Sequence, residues 1–279
     1  MKRLTGKELK DYFRAPDLVT TWWQPEEGRY AFWHEQEFRI LDKYLKTSPN
    51  WTVLDAACGQ GRFARYFARK GCRVHALDIN TKMLQIAKER AIREGVSDRI
   101  DFIENDLETF NQDGSQYDLV TCMDALDHMD DLRLSVQNLA SSLKSGGNLI
   151  ITYTSEESFY GFLRNMYTKL TYYKSNAGVD VGSAYKLRTF RQIFRDLGIE
   201  VKGIFGVGFL MAPQERIRLP LFLNRFFELV SRLDIFLLPY HKDNWFARHA
   251  SVVMIVWKES WLAAFKLTLF LCSTLPGFL

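Results

Sequence analysis

The segment that most constrains the fold of this chain is residues 51–61, WTVLDAACGQG, together with the helical pattern after it. A short apolar run opens the segment and predicts a buried strand, which Asp55 follows. Small residues then lead to Gly59 and Gly61, and residues 62–70 have the apolar spacing of a helix. Strand, glycine turn and helix in this order predict a ligand site, because glycine allows close approach and the first helical N–H groups are free.

A second acidic residue ends the next predicted strand, residues 73–78. Asp78 lies roughly 20 residues after Asp55, the separation at which dinucleotide-binding folds place an acid for ribose hydroxyls. A carboxylate suits that position because it accepts hydrogen bonds from both hydroxyls. Ala64 stands where the third glycine of G-x-G-x-x-G falls, and the pattern allows alanine there. A nicotinamide-dependent oxidoreductase is therefore one hypothesis for the chain.

The sequence LDAACGQG resembles the first motif of class I S-adenosylmethionine-dependent methyltransferases, acid-x-G-x-G-x-G. Asp55, Gly59 and Gly61 match the motif, and Ala57 stands where the first glycine is usual. The resemblance continues through the next four predicted strands, about half of the chain. It implies that the chain is a methyltransferase of the small-molecule type.

The resemblance also implies S-adenosylmethionine (SAM) as the cofactor. Asp78 is expected at the ribose. Asp106 is expected at the adenine amino group, which only donates hydrogen bonds, with Leu107 beside the ring. The complete set of implied cofactor contacts is Asp55, Ala57, Cys58, Gly59, Gly61, Asp78, Ile79, Met83, Asp106, Leu107 and Met123.

Apolar strands that alternate with helical segments predict an α/β fold with a parallel sheet. The resemblance implies a Rossmann-like sheet of seven mostly parallel strands, with helices on both faces and an antiparallel last strand. After the first two strands, further strands are predicted at residues 100–106, 116–123, 148–153, 201–210 and 251–257.

The chain is predicted to form one methyltransferase domain over residues 1–279. Within it we expect an N-terminal helical lid (residues 1–50) and a cofactor-binding half (residues 51–155). An acceptor-side half follows (residues 156–260) and contains a late helical insertion (residues 211–248). The chain then ends in an apolar tail (residues 261–279).

Aromatic residues are concentrated in the N-terminal 50 residues, which read as helical. One interpretation is that these rings pack a helix onto the edge of the sheet. The other is that the segment covers the cofactor, as N-terminal segments do in many small-molecule methyltransferases. Tyr30 and Trp33 are the candidate contacts under the second interpretation.

Candidate acceptor-site residues follow the fourth predicted strand, at the sheet edge where parallel sheets bind ligands. His128 is the first candidate for a catalytic base, because imidazole titrates near neutrality. A loop histidine without a catalytic role is the alternative. Asp124 and Tyr185 are candidate acceptor contacts, and His249 is a weaker candidate base. We expect no metal, because no further ligand cluster accompanies the Asp-x-x-Asp-His sequence at residues 124–128.

Composition narrows the possible partners and compartment. The net charge of +4 is too small to favour nucleic acid as a partner. The four cysteines lack CxxC or metal-ligand spacing, which favours reduced thiols and a cytoplasmic protein. The polar start, MKRLTGKELKDYFR, has no apolar core of a secretory signal.

Two late segments combine large apolar side chains with few charges. Residues 218–239 read as a helix that either caps the core or forms a surface for lipid or a lipid-like acceptor. The tail, residues 261–279, is interrupted by Pro276 and Gly277 and is short for a membrane span. It could lie on a membrane, dock on the core or contact another subunit.

The favoured function is SAM-dependent methyl transfer to a small, hydrophobic acceptor, with oxygen preferred over carbon or nitrogen. The pattern is similar to that of quinone-pathway and other secondary-metabolite methyltransferases, and this choice of acceptor rests on analogy. The alternatives are a SAM-binding protein without catalysis and the oxidoreductase considered above.

Overall fold

We describe the protein from a computed structural model. It describes residues 2–21, 26, 31–110, 116–157, 179–180, 182–207, 221–237, 241–242 and 251–258. Several predicted features lie outside the described residues: Tyr30, residues 158–178, His249 and the tail. The side chain of Trp33 is also outside them. The predictions made for them stay predictions.

The described helices are α1 (Gly6–Arg14), α2 (Leu18–Thr21), α3 (Ala31–Tyr44), α4 (Arg62–Arg69), α5 (Thr81–Arg93), α6 (Leu132–Ser141), α7 (Leu187–Asp196) and α8 (Leu221–Leu237). The described strands are β1 (Lys2–Arg3), β2 (Thr52–Ala56), β3 (Arg73–Asp78), β4 (Ile100–Glu104), β5 (Tyr117–Cys122), β6 (Leu143–Thr154), β7 (Val179–Asp180), β8 (Ile199–Val207), β9 (His241–Lys242) and β10 (Ser251–Lys258).

One large sheet organises the fold, with strand order β4-β3-β2-β5-β6-β10-β8-β9. The first five strands are parallel, and β10 is antiparallel to both neighbours, β6 and β8, as predicted. The predicted count of seven strands was wrong, because the two-residue strand β9 pairs with β8 inside the predicted insertion. Such a short pairing leaves no sequence pattern to detect.

The strand order reverses between β2 and β5. From β2 the chain adds β3 and β4 on one side, and then returns to place β5 and β6 on the other. In an open parallel sheet such a reversal leaves a crevice at the carboxyl ends of the strands, where ligands bind. The predicted glycine turn follows β2 and therefore lies at this crevice.

Apolar cores lie on both faces of the sheet. One cluster joins the sheet to α6 and α7 through side chains such as Leu139 and Phe190, and the other joins it to α3 and α4 through Leu41 and Phe67. Both clusters include fully buried strand residues, which explains the continuous apolar runs of the central strands.

Side chains cap the starts of two helices. The Asn80 side chain accepts hydrogen bonds from the backbone N–H groups of Lys82 and Met83 at the start of α5. Asp131 accepts one from Leu134 at the start of α6. Both acceptors satisfy donors that have no partner within the helix. In the described part of the chain, no helix is both long enough and apolar enough to cross a membrane.

Candidate cofactor and acceptor site

A pocket lies at the carboxyl ends of β2, β3, β4 and β5, where the reversal of strand order predicts it. Twelve of the predicted site residues line it: Asp55, Ala57, Cys58, Gly59, Asp78, Ile79, Met83, Asp106, Leu107, Met123, Asp124 and His128. Residues up to 73 positions apart in sequence thus line one pocket, because the parallel strands end at the same edge of the sheet.

The glycine turn takes left-handed backbone conformations at Ala57 (φ 53°), Gly59 (φ 55°) and Gly61 (φ 73°). A Cβ added at Gly59 would meet nothing within 4 Å, so the turn leaves open space beside this residue. Gly61 does not line the pocket: an added Cβ would lie 2.9 Å from the Cβ of Ala87 on α5. Gly61 therefore permits close packing between the turn and α5, rather than close approach of a ligand.

Asp78 connects the turn to the end of β3. Its Oδ2 accepts the N–H of Gly59 (2.7 Å), and its Oδ1 accepts the N–H of Asn80 (2.8 Å). Burial raises the pKa of this carboxyl, and the backbone N–H groups act in the opposite direction. Each oxygen keeps a further lone pair for a ligand hydroxyl.

Asp55 is buried beneath the turn, with 2% of its surface exposed. Its Oδ1 accepts the hydroxyl of Thr121 (2.9 Å), and its Oδ2 has no hydrogen-bond partner among the described residues. Burial raises the pKa of Asp55 to about 7, although the Thr121 hydroxyl lowers it. A buried oxygen without a partner is costly, so it marks a place for a ligand donor or cation.

Helix α1 lies against the adenine end of the predicted site. The Lys10 ammonium pairs with Asp106 (2.6 Å) and Glu108 (2.9 Å), and the Asn80 amide donates to the carbonyl oxygens of Phe13 (2.7 Å) and Ala15 (3.1 Å). The predictions did not include Lys10. The amphipathic spacing of α1 is a signal for its buried face, but it cannot indicate which acid the lysine meets.

His128 also lines the pocket, in the loop after β5. Its ring packs 5.3 Å from the ring of Phe13, and a Cβ added at Gly182 would lie 3.5 Å from its Cε1. Neighbouring Asp127 accepts the backbone N–H of Thr154 (2.9 and 3.1 Å), which connects this loop to β6. Tyr185 does not line the pocket, because its ring packs on Phe190.

A charged cluster that sequence reasoning missed lies beside Asp124. Arg62 Nη2 lies 3.0 Å from Asp124 Oδ2 and 2.8 Å from Glu37 Oε2. Asp124 and Arg62 line the pocket, whereas Glu37 is buried behind them. Burial raises the pKa of Asp124 to about 6, with Glu37 raising it further and Arg62 lowering it. The three residues come from separate elements, so no local spacing connects them.

The chain is similar to known methyltransferases in sequence and in fold. The family described as "Methyltransferase domain" matches residues 53–147, which contain the glycine turn and the strands β2 to β5. The ubiquinone biosynthesis O-methyltransferase of Coxiella burnetii (strain Dugway 5J108-111) is 28% identical over 159 residues, 56% of this chain and 66% of that protein. The enzyme of the same name from Serratia proteamaculans (strain 568) is 37% identical over 139 residues, 48% of this chain and 56% of that protein.

The match therefore spans 66% and 56% of the length of these two curated relatives, less than two thirds of each. Among solved structures, a SAM-dependent methyltransferase from Thermotoga maritima superposes with a TM-score of 0.63 and 17% identity. The superposition covers 90% of this chain and 100% of that one. At this identity the likeness shows the fold, and the Rossmann-like methyltransferase architecture is confirmed.

Proposed function

We propose that the chain is a class I SAM-dependent methyltransferase that transfers the methyl group of SAM to an oxygen of a small, hydrophobic acceptor. The observation that carries the proposal is the pocket beside the glycine turn, where Asp55 keeps an unpaired buried oxygen and Gly59 leaves open space. The matched relatives are named as O-methyltransferases, which supports oxygen as the methylated atom.

The residues of the pocket fit SAM by their chemistry. Asp55 would hold the ammonium group of its amino-acid part, Asp78 the ribose hydroxyls, and Asp106 the adenine amine. The carboxylates are suited to these groups because all of them donate hydrogen bonds. When bound, SAM supplies a methyl group on a sulfonium that is already a good leaving group. The protein then contributes mainly alignment and exclusion of water, worth up to roughly 7–11 kcal/mol for a well-oriented pair.

The N-terminal helices are proposed as the lid of this site. Leu9, Phe13 and Leu18 contribute apolar surface to the pocket, which supports a hydrophobic acceptor. The contacts of Lys10 and Asn80 hold α1 in place over the pocket. His128, the first candidate base of the sequence analysis, lines the same pocket.

The test is SAM binding by calorimetry, with NAD as the comparison, followed by transfer of a labelled methyl group to catechol. We expect micromolar SAM affinity, no NAD binding, and a labelled product. NAD binding in place of SAM would support the oxidoreductase. SAM binding without transfer to catechol or any other phenol or alcohol tested would support a protein that binds the cofactor without catalysis.

The same proposal extends to a lipid surface in the cytoplasm, formed by α8. Five large apolar side chains recur along this helix at alternating spacings of four and three residues, which places them on one face. All five are at least half exposed: Phe222, Phe226, Leu229, Leu233 and Phe236. Arg232 covers the ring of Phe32 on α3 at 4.5 Å, which orients the helix against the domain. The tail is the second proposed membrane segment and lies outside the described residues.

We expect the double variant Phe222→Ser/Phe236→Ser to bind phosphatidylcholine vesicles at least tenfold more weakly than the wild type. Each phenylalanine contributes about 1.5–3 kcal/mol when fully buried, and serine removes that contribution. Vesicle sedimentation measures the effect. Ile92→Ser is the matched control, because Ile92 is an exposed apolar residue (58%) on α5. An equal loss of vesicle binding in both variants, or no loss in either, contradicts the proposal that α8 forms the lipid surface.

A further inference from the structure

Four ionisable side chains form a buried cluster behind the acceptor end of the pocket. His34 and Glu37 come from α3, Arg62 is the first residue of α4, and Asp124 follows β5. Arg62 Nη2 lies within 3.0 Å of both carboxylates, and His34 Nδ1 lies 3.9 Å from Glu37 Oε2. The cluster therefore joins α3, α4 and the loop after β5.

Stability alone does not account for this arrangement. Buried ion pairs are often no more stabilising than apolar side chains of similar volume, because both charges lose water. Arg62 also places a positive charge at the positive end of the α4 dipole, which is unfavourable. Perturbed, buried ionisable groups at the wall of a pocket are typical of functional sites.

Asp124 connects the cluster to the pocket. Its side chain is 22% exposed, against 2% for Glu37, and it lines the cavity. It has a left-handed φ of 56°, a conformation that is rare outside glycine and persists only when the surroundings hold it. The Thr152 hydroxyl accepts the backbone N–H of Asp124 and donates to its Oδ1, while Arg62 donates to its Oδ2, so the carboxylate is held at both oxygens.

The cluster has the composition of a cation site but already contains a cation. The ligand atoms of His34, Glu37 and Asp124 lie within 4.8 Å of one another. The guanidinium of Arg62 occupies the position between the two carboxylates and donates to Asp124. Arg62 thus supplies the positive charge that a metal ion would bring, and a metal would have to displace it.

We infer that Asp124 binds the acceptor hydroxyl and takes its proton, while Arg62 and Glu37 act as positioning residues for Asp124. The inference rests on the proposed function. The O–H bond breaks, the proton passes to the Asp124 carboxylate, and an electron pair of the oxygen forms the new bond to carbon. The methyl group's former bonding pair stays with the sulfur, whose positive charge is neutralised. The neutral carboxyl later returns its proton to water.

The surroundings give Asp124 the properties of a base. Burial and Glu37 raise its pKa to about 6, while Arg62, His34 and Thr152 lower it. It is therefore a stronger base than an ordinary aspartate and is still ionised at neutral pH. His128 is less suited, because Phe13 and Gly182 pack against its ring.

The test compares Asp124→Asn, Glu37→Gln and His128→Gln by methyl transfer to catechol between pH 5 and 9. We expect Asp124→Asn to lower kcat by at least about 100-fold, the size of a general-base contribution, with SAM affinity within threefold of wild type. Glu37→Gln should shift the acidic limb of the rate profile toward lower pH, because the Glu37 charge raises the pKa of Asp124. His128→Gln should leave the acidic limb of the rate profile at the same pH as in the wild type.

Asp42→Asn is the matched control. Asp42 is on α3, like Glu37, and contacts Tyr66 on α4 (2.7 Å) and Lys70 just after it (2.7 Å), but it does not line the pocket. Its profile should match that of the wild type, whereas a purely structural role of Glu37 would make both variants alike. A thermal melt at pH 8 confirms folding of each variant.

Three results would overturn the inference. The first is Asp124→Asn retaining more than a tenth of the wild-type rate, and the second is loss of the acidic limb in His128→Gln alone. The third is a wild-type protein that binds SAM but methylates neither catechol nor any other phenol or alcohol tested. Failure of the wild type to bind SAM would instead overturn the proposed function, so the two failures are distinguishable.

Discussion

Replacing Asp78 by alanine is expected to lower SAM affinity by at least about 100-fold. The carboxylate would lose its bonds to the ribose, and each hydrogen bond to a charged group is worth about 1.5–3 kcal/mol. The same change leaves the N–H groups of Gly59 and Asn80 without their acceptor, so the turn itself is less ordered. Calorimetry of the purified variant gives the loss directly, because tenfold in affinity corresponds to about 1.4 kcal/mol.

Two further variants separate charge from folding. Asp78→Asn keeps one acceptor oxygen and should fall between the wild type and Asp78→Ala. Asp101→Ala removes an aspartate from the neighbouring strand β4, where its side chain is 67% exposed, and should leave affinity unchanged. Wild-type affinity in a folded Asp78→Ala protein would show that the ribose position is elsewhere.

Alanine at Gly61 is expected to destabilise the fold by about 3 kcal/mol. The left-handed φ of 73° costs about 1–2 kcal/mol for a residue with a Cβ, and overlap with Ala87 adds about 1–3 kcal/mol. Gly95→Ala is the matched control, because Gly95 also has a positive φ (68°) but nothing lies within 4 Å of an added Cβ. We expect about 1 kcal/mol there, measured by urea unfolding.

Gly59→Ala tests the ligand side of the same turn. Its φ is also positive, and an added Cβ would enter open space at the pocket wall. We therefore expect a stability loss like that of Gly95→Ala but at least a tenfold loss of SAM affinity. The two glycines would have the opposite roles under a different pair of results. These are a loss of SAM affinity in Gly61→Ala without a loss of stability beyond that of Gly95→Ala, and a larger loss of stability in Gly59→Ala with unchanged SAM affinity.

The parts of the fold that local chemistry specifies were predicted correctly. Apolar runs located the central strands, since strands buried on both faces need continuous apolar residues. The helix caps of Asn80 and Asp131 are equally local, because their side chains bond N–H groups only a few residues away. Most of the predicted SAM contacts line one pocket for the same reason: each follows a strand that ends at the same edge of the sheet.

The sequence alone determined the order of the seven longer strands, the glycine turn and the edge of the sheet where the site lies, because these depend on neighbouring residues and on strand direction. Only the tertiary structure decided that Lys10 pairs with Asp106, that Gly61 packs on α5, and that Arg62 joins Glu37 to Asp124. These contacts join residues far apart in sequence, and a side chain's chemistry does not specify which distant partner the folded chain brings within 3 Å of it.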